Sequence, residues 1–237
     1  MSDGLVAGPD GRLRCAWGAE PEIYRAYHDT EWGRPVTDDV RLFEKLVLEG
    51  FQAGLAWITI LRKRDRFREV FAGFDPAVVA GFGDREVERL LGDAGIVRHR
   101  GKIEAAISNA SRALEMIEAH GSVAAFVWSR APEDRPAPIG MGDLPATTPE
   151  SAALSKDLKR LGWRFVGPTT VYAFMQAMGL VNDHLVGCWV REEAEAARRP
   201  VLDRYRGGPP ERSERNSSAG RGGNGTLSIH QFAPASA

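Results

Sequence analysis

At 237 residues, 43% hydrophobic and 27% charged, the chain has the make-up of a soluble globular protein with one substantial core or two small ones. The N-terminus MSDGLVAGPDGRLR lacks the apolar stretch of a secretory signal, and no uninterrupted apolar run approaches a membrane span, so cytoplasmic residence and no membrane partner are expected. The formal net charge of -1 conceals basic clusters at Arg62–Arg68, at Arg98–Lys102 and at Lys156, Lys159, Arg160 and Arg164. These permit a basic groove on a neutral molecule, and net charge therefore neither supports nor excludes a polyanionic partner.

In chain order, residues 1–12 are expected to be a flexible N-terminus and 13–200 the folded domain. Cys15 and His28 come first and find counterparts far downstream in His184 and Cys188. His184 and Cys188, at i, i+4, would point from one face of a helix, and with Cys15 and His28 they make the Cys₂His₂ set that suits tetrahedral zinc. The alternatives are a disulfide or two unrelated buried thiols. Four protein ligands leave no open position, so such a zinc is structural and the chemistry lies elsewhere.

Trp17, Tyr24, Tyr27, Trp32, Glu49 and Trp57 lie between and just beyond the first pair of candidate ligands. An aromatic box with one carboxylate is what a flat, positively charged ring requires, because ring faces attract cations and the carboxylate neutralises charge and accepts an N–H. The competing reading is that the aromatics are core and Glu49 is a surface acid on a helix.

The periodicity thereafter is helical, and no two-residue alternation persists long enough to argue for a sheet. Leu42, Phe43, Leu46 and Val47 form one stripe, and Val87, Leu90 and Leu91 mark a helix opened by Asp84. Ile103, Ile107, Ala110, Leu114 and Ile117 lead to a stop at Gly121. Residues 131–149, with Pro132, Pro136, Pro138 and Pro145, read as a long loop. Thr148-Pro149-Glu150 then opens a helix through Leu154, Leu158 and Leu161. An all-α fold follows. That helix stops at Gly162, and a second starts at Gly167-Pro168 and stops at Gly179, a hairpin over about 158–179. Free N–H groups and the helix dipole at Gly167 would suit a phosphate oxygen, although an ordinary helical hairpin explains the pattern as well. From Gly207 the chain is rich in Gly, Ser and Pro, and 207–237 reads as a disordered tail.

Several segments together resemble a known family. Tyr27-His28-Asp29-Thr30-Glu31-Trp32-Gly33, Leu48-Glu49-Gly50-Phe51-Gln52-Ala53-Gly54-Leu55-Ala56-Trp57, Asp93-Ala94-Gly95-Ile96 and Gly179-Leu180-Val181-Asn182-Asp183-His184 are similar to signature segments of bacterial DNA-3-methyladenine glycosylase I, the constitutive type, in unbroken order over roughly 13–192. The resemblance implies a helix-hairpin-helix fold and a structural zinc, one per chain, on Cys15, His28, His184 and Cys188. It also implies a pocket of Trp17, Tyr24, Tyr27, Trp32 and Trp57, with Glu49 as the acid that recognises the base. Gly54, Leu55, Gly162, Val166, Gly167 and Thr169 would contact DNA, with Gly54 and Leu55 filling the vacated base position.

The activity so implied is base excision repair by a monomer in the bacterial cytoplasm, nucleoid-associated when acting. 3-Methyladenine would be flipped out of damaged double-stranded DNA and released as free base by hydrolysis of its N-glycosidic bond, without strand cleavage. Phe51, Ala56 and Pro168 depart from the family pattern. Asp183 occupies the neighbourhood where related glycosylases keep an aspartate, and a carboxylate beside a metal ligand commonly orients that ligand. Nothing in the sequence marks Lys102 or Lys156 as desolvated nucleophiles. The alternatives are a zinc-dependent hydrolase, which needs an open coordination position, and a non-catalytic helix-hairpin-helix DNA-binding module, which would not need Glu49 among aromatics.

Overall fold

The computed structural model describes residues 4–132 and 135–206, so the 207–237 tail lies outside the described residues. The described chain is helical apart from one small addition. Strands β1 (Leu5–Ala7) and β2 (Leu13–Cys15) pair antiparallel, with Leu5 opposite Cys15 and Ala7 opposite Leu13. The segment expected to be a flexible N-terminus thus holds a paired strand, and the all-α expectation is corrected by a hairpin whose strands are too short to show alternation. This hairpin is what delivers Cys15.

Among the described residues eleven α-helices follow: α1 (Glu22–Thr30), α2 (Asp39–Gln52), α3 (Trp57–Leu61), α4 (Arg64–Val70), α5 (Pro76–Val79), α6 (Asp84–Gly92), α7 (Arg100–His120), α8 (Val123–Trp128), α9 (Pro149–Arg160), α10 (Pro168–Ala177) and α11 (Arg191–Arg206). Boundaries fall where capping chemistry requires. Asp38 Oδ1 accepts the Arg41 N–H at 2.9 Å to start α2, and Thr148 Oγ1 accepts the Ser151 N–H at 3.1 Å to start α9, ahead of Pro149. Gly121 closes α7 in the left-handed region.

Helix α2 is the axis of the molecule. Every residue from Leu42 to Phe51 is buried, not only the stripe facing one neighbour, because α3, α7, α8 and α10 pack around it. Helices α9 and α10 pack against each other as the expected hairpin, with Gly162 at φ 86° in the turn between them. Asn109 of α7 holds that turn through both amide atoms, donating to Arg164 O at 3.0 Å and accepting the Arg164 N–H at 2.8 Å. Residues 135–148 run as the loop expected there, with one 3-10 turn at Met141–Asp143. Helix α11 was not anticipated: its sequence is mostly charged, and only Ala194, Arg198 and Leu202 are buried, one per turn.

Candidate functional site

The four candidate ligands converge. Cys15 ends β2, His28 lies in the last turn of α1, and His184 and Cys188 come from the segment between α10 and α11. All four are buried, and their ligating atoms lie within 4.8 Å of one another. Cys188 Sγ is 3.6 Å from both His28 Nε2 and His184 Nδ1, and Cys15 Sγ is 4.0 Å from His184 Nδ1. Tetrahedral zinc with bonds of about 2.3 Å to sulfur and 2.0 Å to nitrogen requires S···N separations of about 3.6 Å. The donors fit such an ion, and the thiols are unbridged.

One detail of the sequence reading is corrected here. His184 and Cys188 do not share a helix face, because the chain stays irregular after Gly179 until Arg191. The Leu185 N–H points at Cys15 Sγ (3.4 Å) instead of at a helical carbonyl, and Gly187, at φ 90°, turns Cys188 back toward the histidines.

Outer contacts orient both imidazoles. His28 Nδ1 is 2.8 Å from Asp29 Oδ1, and His184 Nε2 is 3.0 Å from Trp32 O. With those nitrogens protonated toward oxygen acceptors, His28 Nε2 and His184 Nδ1 present lone pairs to the cluster. Burial would raise the Asp29 carboxyl, but hydrogen bonds from Arg14 and His28 hold it below the usual carboxylate range. Arg14, itself buried, clamps Asp29 through Nε at 3.0 Å and Nη2 at 2.8 Å, and its other nitrogen meets Asp10 at 2.7 Å. Asp29 and Arg14 were missed from sequence, although a carboxylate adjacent to a ligand histidine was a readable signal.

The aromatic set also comes together. Trp17, Tyr24, Tyr27, Trp32, Glu49 and Trp57 all line one cavity of about 290 Å³. Trp17 stands edge-on to Tyr24 at 6.0 Å and to Trp32 at 4.9 Å, and Tyr27 lies 5.5 Å from Trp57. The metal-type cluster forms the back of this wall, since Trp17 packs on His28 at 5.4 Å and Trp32 on His184 at 4.7 Å. The Tyr24 hydroxyl accepts the Ile58 N–H at 2.8 Å and so fixes α3 relative to α1. Trp57 Nε1 is buried without a hydrogen-bond partner among the described residues.

A lysine joins this set unannounced. Lys45 Nζ is 2.8 Å from Glu49 Oε1, 2.9 Å from the Tyr27 hydroxyl and 3.4 Å from the centre of the Trp57 ring. Burial pushes the Lys45 amine below its ordinary value against the pull of Glu49, and burial with the Glu49 charge pushes the Tyr27 phenol well up. The i, i+4 spacing from Lys45 to Glu49 was the available sequence signal.

Asp183 lies elsewhere. Its buried carboxylate borders a separate, charged cavity and is consumed by Arg135 (2.9 Å), Gln176 (2.9 Å) and the Tyr172 hydroxyl (2.5 Å). Burial and then the hydrogen bond to Asp183 push the Tyr172 phenol up to about 12. The carboxylate that orients a ligand histidine is Asp29, not Asp183. Lys102 is desolvated, contrary to the sequence reading, and burial lowers its amine. Its Nζ donates to Phe51 O at 2.8 Å and Ala53 O at 2.7 Å, pinning the end of α2.

The residues expected to touch DNA divide. Gly54, at φ 84°, and Leu55, 42% exposed, project on the loop between Glu49 and Trp57, and Gly162 and Thr169 are exposed on the hairpin. Gly167 caps α10 and is half-buried, whereas Val166 is buried and its carbonyl accepts from Ser155 Oγ at 2.6 Å. Phe51 turns away from the pocket to pack on Phe67 at 4.8 Å. Of the first basic cluster, Arg64, Arg66 and Arg68 pair with Glu31, Asp93 and Glu44, which reduces its capacity as a basic groove.

A family profile described as methyladenine glycosylase matches residues 17–192. DNA-3-methyladenine glycosylase 1 of Escherichia coli is 51% identical over 178 residues, spanning 74% of this chain and 95% of its own. The Haemophilus influenzae DNA-3-methyladenine glycosylase is 46% identical over 178 residues, 74% of this chain and 96% of its own. A solved structure of 3-methyladenine DNA glycosylase I from Staphylococcus aureus, described as showing the basis of 3-methyladenine recognition, superposes with a TM-score of 0.72 at 37% identity, over 75% of this chain and 96% of that one. The matched span takes in the aromatic cavity and His28, His184 and Cys188 of the buried cluster, with Cys15 two residues ahead of it, and the chain belongs to the methyladenine glycosylase family.

Proposed function

We propose that this protein excises 3-methyladenine from alkylated duplex DNA by hydrolysing its N-glycosidic bond, without cutting the strand. The observation that carries this is the cavity in which five aromatic side chains from α1, its flanks and α3 surround a single carboxylate, Glu49. Its volume, about 290 Å³, suits one flat base. A duplex hides its bases, so the nucleotide must rotate out and stack in such a pocket. Methylation at N3 makes adenine cationic and a good leaving group. Departure through a sugar with oxocarbenium character therefore needs no general acid, only a site that holds the base in line and separates charge well. Glu49 supplies the carboxylate to the base edge, and the unpartnered Trp57 Nε1–H is a further donor.

Leu55, exposed on a loop that Lys102 pins at Ala53, fills the gap left by the flipped nucleotide in this reading, which its exposure supports. The α9–α10 hairpin serves as a helix-hairpin-helix element that takes backbone phosphate at the start of α10. Pro168 leaves one fewer N–H there for the purpose. The Cys15, His28, His184 and Cys188 set holds one structural zinc, which, when bound, supplies cross-linking and no reaction step. Release of free base from methylated duplex by the purified protein, followed by chromatography of the supernatant and by strand integrity on a denaturing gel, tests the assignment. Base release with intact strands is expected, and no release would remove it.

A further inference from the structure

The aromatic cavity already contains a cation. Lys45 Nζ sits over the Trp57 face at 3.4 Å, faces Tyr27 at 5.2 Å from its ring centre, and meets Glu49 Oε1 at 2.8 Å. An aromatic face and a carboxylate are the two partners a cationic base would use in this pocket. Resting on the base-pocket assignment above, we infer that Lys45 is a specificity-determining residue: in the empty pocket its ammonium holds the seat between Glu49 and Trp57, so that a cationic base binds only as that ammonium is displaced or deprotonated.

The charges leave little alternative for a bound cation. Lys45 and Glu49 cancel each other on α2. The other charged groups that face Lys45 are Glu31, just after α1, and Arg64 on α4, and they are paired with each other at 2.7 Å. Tyr27, on α1, stays neutral because burial raises its phenol. The pocket is therefore neutral while Lys45 is protonated and carries one net negative charge when it is not. Two like charges forced together in a desolvated site repel strongly, so the lysine sets a threshold that a fixed cation must overcome and a neutral ring need not. It also preorganises the site, since one ammonium ties Glu49 to the Tyr27 hydroxyl. Burial also lowers the Lys45 amine below its ordinary value, against the pull of Glu49, which eases loss of the proton.

The experiment measures binding of two probes by tryptophan fluorescence in the full chain: 3,9-dimethyladeninium, a fixed cation, and free 3-methyladenine, uncharged at about pH 8. Lys45→Met keeps the apolar stem and removes the charge. It is expected to bind the fixed cation at least about tenfold more tightly, with the neutral base changed by less than about threefold. Loss of affinity for both probes together would make Lys45 a packing residue and overturn the inference. A second arm needs no variant. The affinity of the wild-type protein for the fixed cation is expected to rise from about pH 7 to pH 10 as the ammonium loses its proton, with little change for the neutral base. A flat profile overturns the inference while leaving the base-pocket assignment standing, and failure of both proteins to bind either probe overturns both.

Discussion

In the proposed reaction Glu49 is the residue on which pocket chemistry turns, and its environment shapes what a substitution does. Glu49→Gln keeps the shape and a carbonyl acceptor for Lys45, yet removes the charge that balances a buried ammonium. Single-turnover excision of 3-methyladenine from methylated duplex should fall by about tenfold, a modest loss because methylation has already weakened the bond. The same change should lower stability by about 1–3 kcal/mol, since both partners are nearly solvent-free. Wild-type rates would remove Glu49 from the site. Asp29 acts at a distance from that chemistry, through His28 Nδ1. Asp29→Ala should weaken zinc binding by about 10–100-fold, read by competition with a chromogenic chelator, because the imidazole loses its orienting acceptor. Arg14 would then keep Asp10 and the Arg12 carbonyl as partners.

Among the elements, the α9–α10 hairpin offers the most direct test of main-chain recognition. A Cβ built at Gly167 meets nothing nearer than Thr170 Oγ1 at 4.0 Å, and its φ of -63° suits any residue. Gly167→Ala should therefore fold normally. If phosphate approaches the start of α10, the methyl group crowds it, and affinity for duplex containing an abasic site should drop by up to about tenfold, one hydrogen bond's worth. Equal affinity in a folded variant would leave the hairpin as packing only. The β1–β2 hairpin has a different task. It is small and its strand β1 is largely exposed, but it places Cys15 beside the segment that follows α10, where the Trp189 N–H bonds Leu13 O at 3.0 Å.

For the whole molecule, the buried Cys and His cluster joins β2 to a segment some 170 residues later, and its imidazoles back the pocket wall at Trp17 and Trp32. Zinc bound there is folding free energy, because no such site exists in the unfolded chain. With free zinc at about 1,000 times its dissociation constant, the contribution is about 4 kcal/mol, or roughly 10 °C in thermal midpoint for a chain of this size. Metal analysis should give one zinc per chain. Chelation should lower the midpoint by that amount, and Cys188→Ser should start from the lowered value and respond little to chelator. Full zinc retention in that variant would break the four-ligand assignment.

Read alone, the sequence determined the helical class, the starts of α6 and α9, the stops at Gly121, Gly162 and Gly179, and the memberships of both the Cys and His cluster and the aromatic set. Those follow from local rules: glycine where φ turns positive, threonine before a proline at a helix start, and soft donors grouped by type. Tertiary structure decided the rest. Short strands carry no period, so β1 and β2 were invisible, and the helical geometry assumed for His184 and Cys188 gave way to a loop because their partners lie on β2 and α1. Lys45 and Lys102 read as ordinary helix lysines, and only packing around α2 and α7 took them out of water. One then faced Glu49 and the other two backbone carbonyls, because a buried ammonium is stable only where oxygen acceptors are already in place.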